Sequence, residues 1–415
     1  MNILLKSAKV IDPESAFHLQ TKDILINEGV ITEIAEHIAP REEKVIENAY
    51  VSQGWTDSSV CFGEPGYEER ETIAHGLYTA ERSGFTHVMI NPLTHPVVDN
   101  SQGVAFIKEK ARGFAATAHP IGALTTGSKG EDLAELYDMQ MAGAVAFGDY
   151  KKAITNTNLV KLALQYTQPF EGVVISFPNT PKIMGKGVVN EHIAGTRLGL
   201  KGIPALAEEL CVARDLAILE YAGGKLHIPT ISTAKSVALI REAKAKGLDV
   251  TCSVAIHHLH FTDEVLEGFD TNFKILPPLR EADNVIALRE ALAEGGIDFV
   301  TSDHNPLDVE LKFKEFDLTA FGAIGLENTW GVLSQYVNPE RAVELLTAAR
   351  KRFGIGSTPI AQGTTADLTL FTPEGESLFT QEDILSSAKN SPFVGSTMRG
   401  KVLGVIVNGK ATLCI

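Results

Sequence analysis

The side chains in this 415-residue chain that could do chemistry are few and widely spaced. They are Asp149, Asp303 with His304 beside it, the pair His257-His258, His227, and the cysteines Cys61, Cys211, Cys252 and Cys414. Carboxylates and imidazoles hold divalent cations or move protons, and a thiol attacks a carbonyl once a neighbouring base has lowered its pKa. No such base can be placed beside Cys61 from the sequence. His227 lies inside the apolar run Lys225–Ile228, three residues before Thr230, and reads as a satisfied core histidine. The cysteines form no Cys-x-x-Cys pair, so neither a disulfide framework nor a zinc knuckle is indicated. The acidic stretch Glu64–Glu71 reads as a solvated turn opening a helix, where carboxylates are favoured.

The elements that must position these groups alternate through the middle of the chain. Strand-like apolar runs fall at Ala49–Trp55, Thr86–Ile90, Ala116–Ile121, Ala144–Phe147, Gly172–Ile175, Lys225–Ile228, Val250–Val254 and Asp298–Thr301. Between them, helix-period stretches occupy Thr72–Ser83, Gly130–Ala142, Pro204–Tyr221, Ser236–Lys246 and Asn284–Glu294, with Ser232-Thr233 as an N-cap. Eight strand–helix alternations over roughly 250 residues favour a (β/α)8 barrel. A doubly wound open sheet would place a Gly-rich phosphate turn after its first strand; here Gly63-Glu64-Pro65-Gly66 stands there, with no G-x-G-x-x-G.

Both chain ends read as short strands: Ile3–Ile11 and Asp23–Ile34 around an Asn27-Glu28-Gly29 hairpin turn, then Ala366–Phe371 and Val402–Val407 before Asn408-Gly409. The expected division is a small β-sandwich-like domain from residues 1–52 and 363–415, and a barrel from residues 53–362. A barrel of this kind carries its active groups at the C-terminal ends of the strands.

Composition narrows the function classes. With 44% hydrophobic residues the chain can bury a large core. A net charge of −15 argues against nucleic acid and against an anionic membrane surface. No apolar run approaches the ~18 residues of a membrane span, and Met1–Ser7 lacks a signal-peptide pattern, so the expected location is the cytoplasm.

Several short motifs, in order along nearly the whole chain, resemble the dihydroorotases of the cyclic amidohydrolase group. They include Gly84-Phe85-Thr86, Arg197-Leu198-Gly199-Leu200-Lys201-Gly202, Ile231-Ser232-Thr233-Ala234, Pro277-Pro278-Leu279-Arg280, Ser302-Asp303-His304 and Phe321–Glu327. The resemblance implies zinc-assisted opening of a cyclic amide. Zinc lowers the pKa of bound water by roughly 9 units, worth on the order of 12 kcal/mol, and each ion needs about three protein ligands.

Family ligand positions, carried over by this resemblance, depart from the family pattern. The family's Asp-x-His-x-His-x-Arg-Glu-Pro-Gly reads here with Ser59 and Cys61 for the two histidines and Gly63 for the arginine, between a retained Asp57 and Glu64-Pro65-Gly66. Ser176 and Thr230 stand at two further histidine positions, while Asp149 and Asp303 remain at the carboxylate positions. On the substrate side, Leu93, Leu276 and Leu307 replace two asparagines and a histidine. Hydroxyls are poor zinc ligands near neutral pH, and an apolar lining leaves a polar substrate unpaired at a cost of several kcal/mol.

The expectation is therefore a dihydroorotase-like pseudoenzyme with no metal or other cofactor, keeping Asp303 as a relic of the acid/base. The resemblance further implies a homo-oligomer and a structural partnership with aspartate transcarbamoylase, the preceding enzyme of pyrimidine synthesis. His257, His258 and His304 match family positions that are not ligands and are expected to be structural. The alternative is an active dihydroorotase or related hydrolase of cyclic amides, with a reduced zinc site and Asp303 as acid/base.

Overall fold

The computed structural model describes residues 2–414. Eight parallel strands, Trp55–Val60, Phe85–Ile90, Thr117–Gly122, Ala146–Phe147, Val173–Ile175, Lys225–Ile228, Val250–Ala255 and Phe299–Thr301, follow one another in chain order. A parallel bridge between Val60 and His304 joins the last to the first and closes the barrel. This is the (β/α)8 architecture that the alternation of apolar runs implies.

The first barrel strand lies later than expected. The run Ala49–Trp55 divides at Gly54: Tyr50–Gln53 joins another sheet, and Trp55–Val60 begins the barrel. Gly54 is required where the chain crosses between them, since a Cβ there would lie 2.0 Å from Thr86 Oγ1 and 2.2 Å from Asp367 Oδ1. Hydropathy misses the true strand because Thr56-Asp57-Ser58-Ser59 is polar, yet every residue of Trp55–Val60 is buried. The helix expected over Gly130–Ala142 forms only over Leu136–Ala142. Its first half is turn, with Gly130 at φ +73°. Thr233 does cap the helix Ala234–Ala245, accepting from the Ser236 amide at 3.2 Å.

The second sheet is built from both chain ends. Tyr50–Gln53 is its seam, pairing parallel with Asn2–Ile11 and antiparallel with Asp367–Leu378. Thr21–Asn27, Val30–Ala35 and Lys44–Glu47 extend one side, and Thr397–Val407 and Lys410–Leu413 the other. It has its own core, which includes Ile3, Leu5, Val10, Ile24, Leu368 and Ile406.

Arg350 fastens this sheet to the floor of the barrel. Its guanidinium donates to Gly54 O at 2.5 Å, Thr86 Oγ1 at 3.0 Å, Thr56 Oγ1 at 3.2 Å and Asp367 Oδ2 at 2.7 Å. Beside it, Trp55 stacks on Trp330 with ring centroids 5.1 Å apart. Among the described residues, no helix is long and apolar enough to cross a membrane.

Candidate functional site

The C-terminal mouth of the barrel is anchored by Asp57. Its Oδ1 accepts from the Ser59 amide at 3.0 Å and Thr301 Oγ1 at 2.5 Å, and its Oδ2 from the Ser302 amide at 3.0 Å. Burial pushes this carboxyl up to about 6, against the opposing pull of those hydrogen bonds. Asp57 thus locks the first barrel strand to the last. Three further strand ends carry residues in the left-handed region: Tyr150 at φ +52°, Thr230 at +48° and Asp303 at +47°. Such backbone costs about 1–3 kcal/mol per residue and concentrates at built sites.

Only part of the expected ligand set converges. Ser59 and Asp303 meet, with Ser59 Oγ 3.4 Å from Asp303 Oδ1. Cys61 lies nearby, its Sγ 3.7 Å from Asn91 Nδ2. Burial pushes its thiol up to about 12, which disfavours a free thiolate at neutral pH. Ser176 turns aside and donates to Asp215 Oδ2 at 2.7 Å. Thr230 lines the mouth, but its hydroxyl has no hydrogen-bond partner.

Asp149 does not reach the centre. Its Oδ1 accepts from the amides of Leu124 and Thr125 at 2.9 and 3.0 Å, and its Oδ2 from the Thr125 hydroxyl. It organises a loop. The next two residues face the centre instead, and the sequence reading overlooked both. Tyr150 donates its hydroxyl to Asp303 Oδ1 at 3.2 Å, and Lys151 Nζ lies 2.7 Å from Asp303 Oδ2. Lys151 has 10% of its side chain exposed and Asp303 3%, so this is an enclosed ion pair. The available signal was the position of Tyr150-Lys151-Lys152, directly after the strand end Ala146–Phe147.

These donors do not fit a zinc pair. Asp303 already has a cation, Asp149 faces elsewhere, and the remaining positions offer two serines, a threonine and a single thiol. The space enclosed by Ser58, Ser59, Asn91, Tyr150, Thr230 and Asp303 is about 20 Å³. A space of that size admits about one water molecule.

The substrate positions are closed by packing. A Cβ on Gly63 would sit 1.9 Å from the carbonyl oxygen of Tyr67, so the turn leaves no room for any side chain there. Leu276 is buried in an apolar plug with Phe177, Ile203 and Ala207, against which Ile183, Met184 and Phe321 pack. Leu307 is buried too, while Leu93 is half-buried.

The histidines pack against aromatic rings and bond hydroxyl and backbone groups. His227 stacks on Phe299 with centroids 4.9 Å apart and lies 3.1 Å from Thr251 Oγ1. His257 and His258 reach the carbonyls of Ile324 and Pro277 at 3.3 and 3.0 Å. His304 Nδ1 accepts from the Gly325 amide at 3.3 Å. The acidic stretch differs from expectation: Glu64 and Glu71 are buried. Glu64 Oε2 accepts from the Ile73 amide at 3.0 Å, and Glu71 Oε2 accepts from the Ser387 amide at 3.0 Å. Each caps a neighbouring segment rather than facing solvent.

Comparison with known proteins gives the lineage of this scaffold. The family described as Dihydro-orotase-like matches residues 50–236, and the Amidohydrolase family matches residues 184–412. A protein named Dihydroorotase from Pelotomaculum thermopropionicum is 41% identical, covering 100% of this chain and 99% of its own length. Another of that name, from Geotalea daltonii, is 38% identical over 99% of both chains. Among solved structures, an L-hydantoinase (dihydropyrimidinase) from Arthrobacter aurescens superposes with a TM-score of 0.85 at 21% identity, covering 100% of this chain and 97% of its own. Dihydropyrimidinase from Brevibacillus agri gives 0.83 at 21% identity, covering 100% of this chain and 95% of its own. At that identity the structures speak for the fold alone, but the sequence relatives settle the family: the chain belongs to the dihydroorotases of the amidohydrolase superfamily.

Proposed function

We propose that this chain is a dihydroorotase-like protein of pyrimidine biosynthesis that has lost ring-opening chemistry and serves as a structural partner. The observation that carries this reading is the Lys151–Asp303 pair. An ammonium tethered to the barrel wall holds the carboxylate that the resemblance assigns to metal binding and proton transfer. It supplies a positive charge without a Lewis acid and without an activated water. The plug around Leu276 and the blocked position at Gly63 support the same reading, because they remove the space and the cation that would hold a substrate carboxylate. The partner suggested by the resemblance is aspartate transcarbamoylase, joined by a homo-oligomer of this chain.

A second reading is favoured by the names of the relatives, which are called dihydroorotase at 35–41% identity. On that reading the chain opens dihydroorotate or a less polar cyclic amide, with Asp303 as acid/base and Leu93, Leu276 and Leu307 lining an apolar pocket. The decisive experiment is the rate of dihydroorotate ring opening and closure by the purified protein, with and without added zinc. A rate at background in both conditions supports the first reading. Zinc-dependent turnover overturns it and establishes the second. Co-purification with aspartate transcarbamoylase tests the partnership separately.

A further inference from the structure

Away from the converted centre, three segments bring one imidazole and two carboxylates together. His192 precedes the helix Ile193–Arg197, Asp263 opens the short turn Asp263–Gly268, and Glu281 precedes the helix Ala282–Ala293. One ligand atom from each residue lies within 4.8 Å of the other two. His192 Nδ1 is 3.0 Å from Asp263 Oδ2. The amide nitrogen of Asn190 reaches the same oxygen at 3.0 Å and Glu281 Oε2 at 2.6 Å.

The local charges are not balanced by these contacts. Asp263 is 1% exposed, and although Oδ2 accepts two hydrogen bonds, Oδ1 has no partner. The nearby buried cation, Arg280, is directed elsewhere. It donates to Ser232 Oγ, Asn190 Oδ1 and Ile203 O, and it faces Glu208 at 3.7 Å. A buried carboxylate oxygen without a partner costs about 1–3 kcal/mol or more. A divalent cation held by Asp263 through both carboxylate oxygens would satisfy Oδ1 as well and offset the charge of Glu281.

We infer that His192, Asp263 and Glu281 form a divalent-cation site, suited to zinc or manganese, that fastens the segment around Asn190–His192 to the turns beside it. One imidazole and two carboxylates with an open position for water is a donor set that these ions accept. Calcium and magnesium prefer all-oxygen shells. Tetrahedral metal bonds of about 2.1 Å place nitrogen and oxygen about 3.4 Å apart, so to admit an ion His192 and Asp263 separate by about 0.4 Å and the Asn190 amide between the two carboxylates turns aside. The ion takes the place of the hydrogen between His192 Nδ1 and Asp263, and the bound neutral imidazole carries its one proton on Nε2. The half-exposed imidazole leaves a route in from solvent. The site does not depend on whether the barrel centre turns over substrate.

The test uses the full chain, stripped with chelator and titrated with zinc chloride by calorimetry, with metal content measured after desalting. The expected result is one tightly held zinc per chain, weakened at least tenfold in His192→Ala and separately in Glu281→Gln. Cys61→Ser, which removes the softest donor of the barrel centre, should leave that binding unchanged. Two outcomes would overturn the inference. One is the absence of saturable zinc binding in the unmodified chain. The other is binding that survives both His192→Ala and Glu281→Gln or disappears in Cys61→Ser. Circular dichroism checks that each variant folds, and manganese titration followed by electron paramagnetic resonance gives a readout that is blind to thiols.

Discussion

Lys151 Nζ sits 2.7 Å from Asp303 Oδ2, and Tyr150 donates to the other carboxylate oxygen at 3.2 Å. Two consecutive residues from one strand end thus surround the carboxylate that ends another. Removing one partner of an enclosed pair leaves the other charge buried alone, at a cost of about 3–5 kcal/mol. Lys151→Met should therefore lower stability by roughly that amount in urea unfolding. The double variant with Asp303→Asn should recover much of the loss. Additive losses in the double variant would mean that the two groups do not interact.

Gly63 gives a second prediction. Because the Tyr67 carbonyl occupies the place of a Cβ, Gly63→Ala should force the turn to move. A drop in the thermal midpoint of several degrees is expected, consistent with a loss on the order of 2 kcal/mol. Gly63→Arg should be worse and should not confer dihydroorotate binding in calorimetry. Unchanged stability in the alanine variant would show that the turn is looser than its geometry indicates.

Stability should fall in mild acid. An unfolded histidine titrates near about 6.5. In the native chain burial holds His258 and His119 down to about 3. Between those limits the unfolded state binds protons that the folded state does not, so stability is lost as pH falls through that window, by about 1.4 kcal/mol per pH unit per group. Asp57 opposes this below about 6, since its raised carboxyl takes up a proton in the folded state first. Burial raises Asp149 and Asp215 too, but it also holds down His87, His227, His257, His260 and His304, so the histidines outweigh the aspartates. The urea midpoint should drop between pH 7 and pH 5, and His258→Asn should flatten that slope relative to the unmodified chain.

The thiols supply a fourth prediction. Burial pushes Cys61, Cys211 and Cys252 each up to about 12. Native protein at pH 8 should resist iodoacetamide at all three, and unfolding in urea should make all three react. Peptide mapping by mass spectrometry reads this directly. Rapid native labelling of Cys61 would reveal an activating neighbour and reopen the question of nucleophilic chemistry.

The sequence displays the barrel well because seven of its strands are apolar runs bounded by helix-period segments. It hides the first, whose polar Thr56-Asp57-Ser58-Ser59 is buried, with Asp57 satisfied by Thr301 and Ser302 from the adjoining last strand. At the centre, the positions of Ser59, Cys61 and Gly63 are legible through the family resemblance. The direction of a side chain is not. Asp149 and Tyr150 are neighbours on one strand end, and only the backbone turn decides which of them faces inward. Lys151 stayed invisible for a related reason: a lysine after a strand usually reads as solvated, and its partner lies 152 positions away.

The seam at Tyr50–Gln53 also sets an order of events during synthesis. Asn2–Ile11 emerges first, yet the sheet that buries Ile3, Leu5 and Val10 is completed only when Asp367–Leu378 and Thr397–Val407 arrive. Until then the edge at Tyr50–Gln53 stays open while the barrel is made, and unpaired strand edges invite misassociation. Ribosome stalling or premature termination before residue 367 would thus leave the barrel core without Phe371, Phe393 and Met398 and the Tyr50–Gln53 edge without its partner. The last fifty residues thus close both cores, Leu368 and Ile406 in the sheet and Phe371 and Phe393 in the barrel.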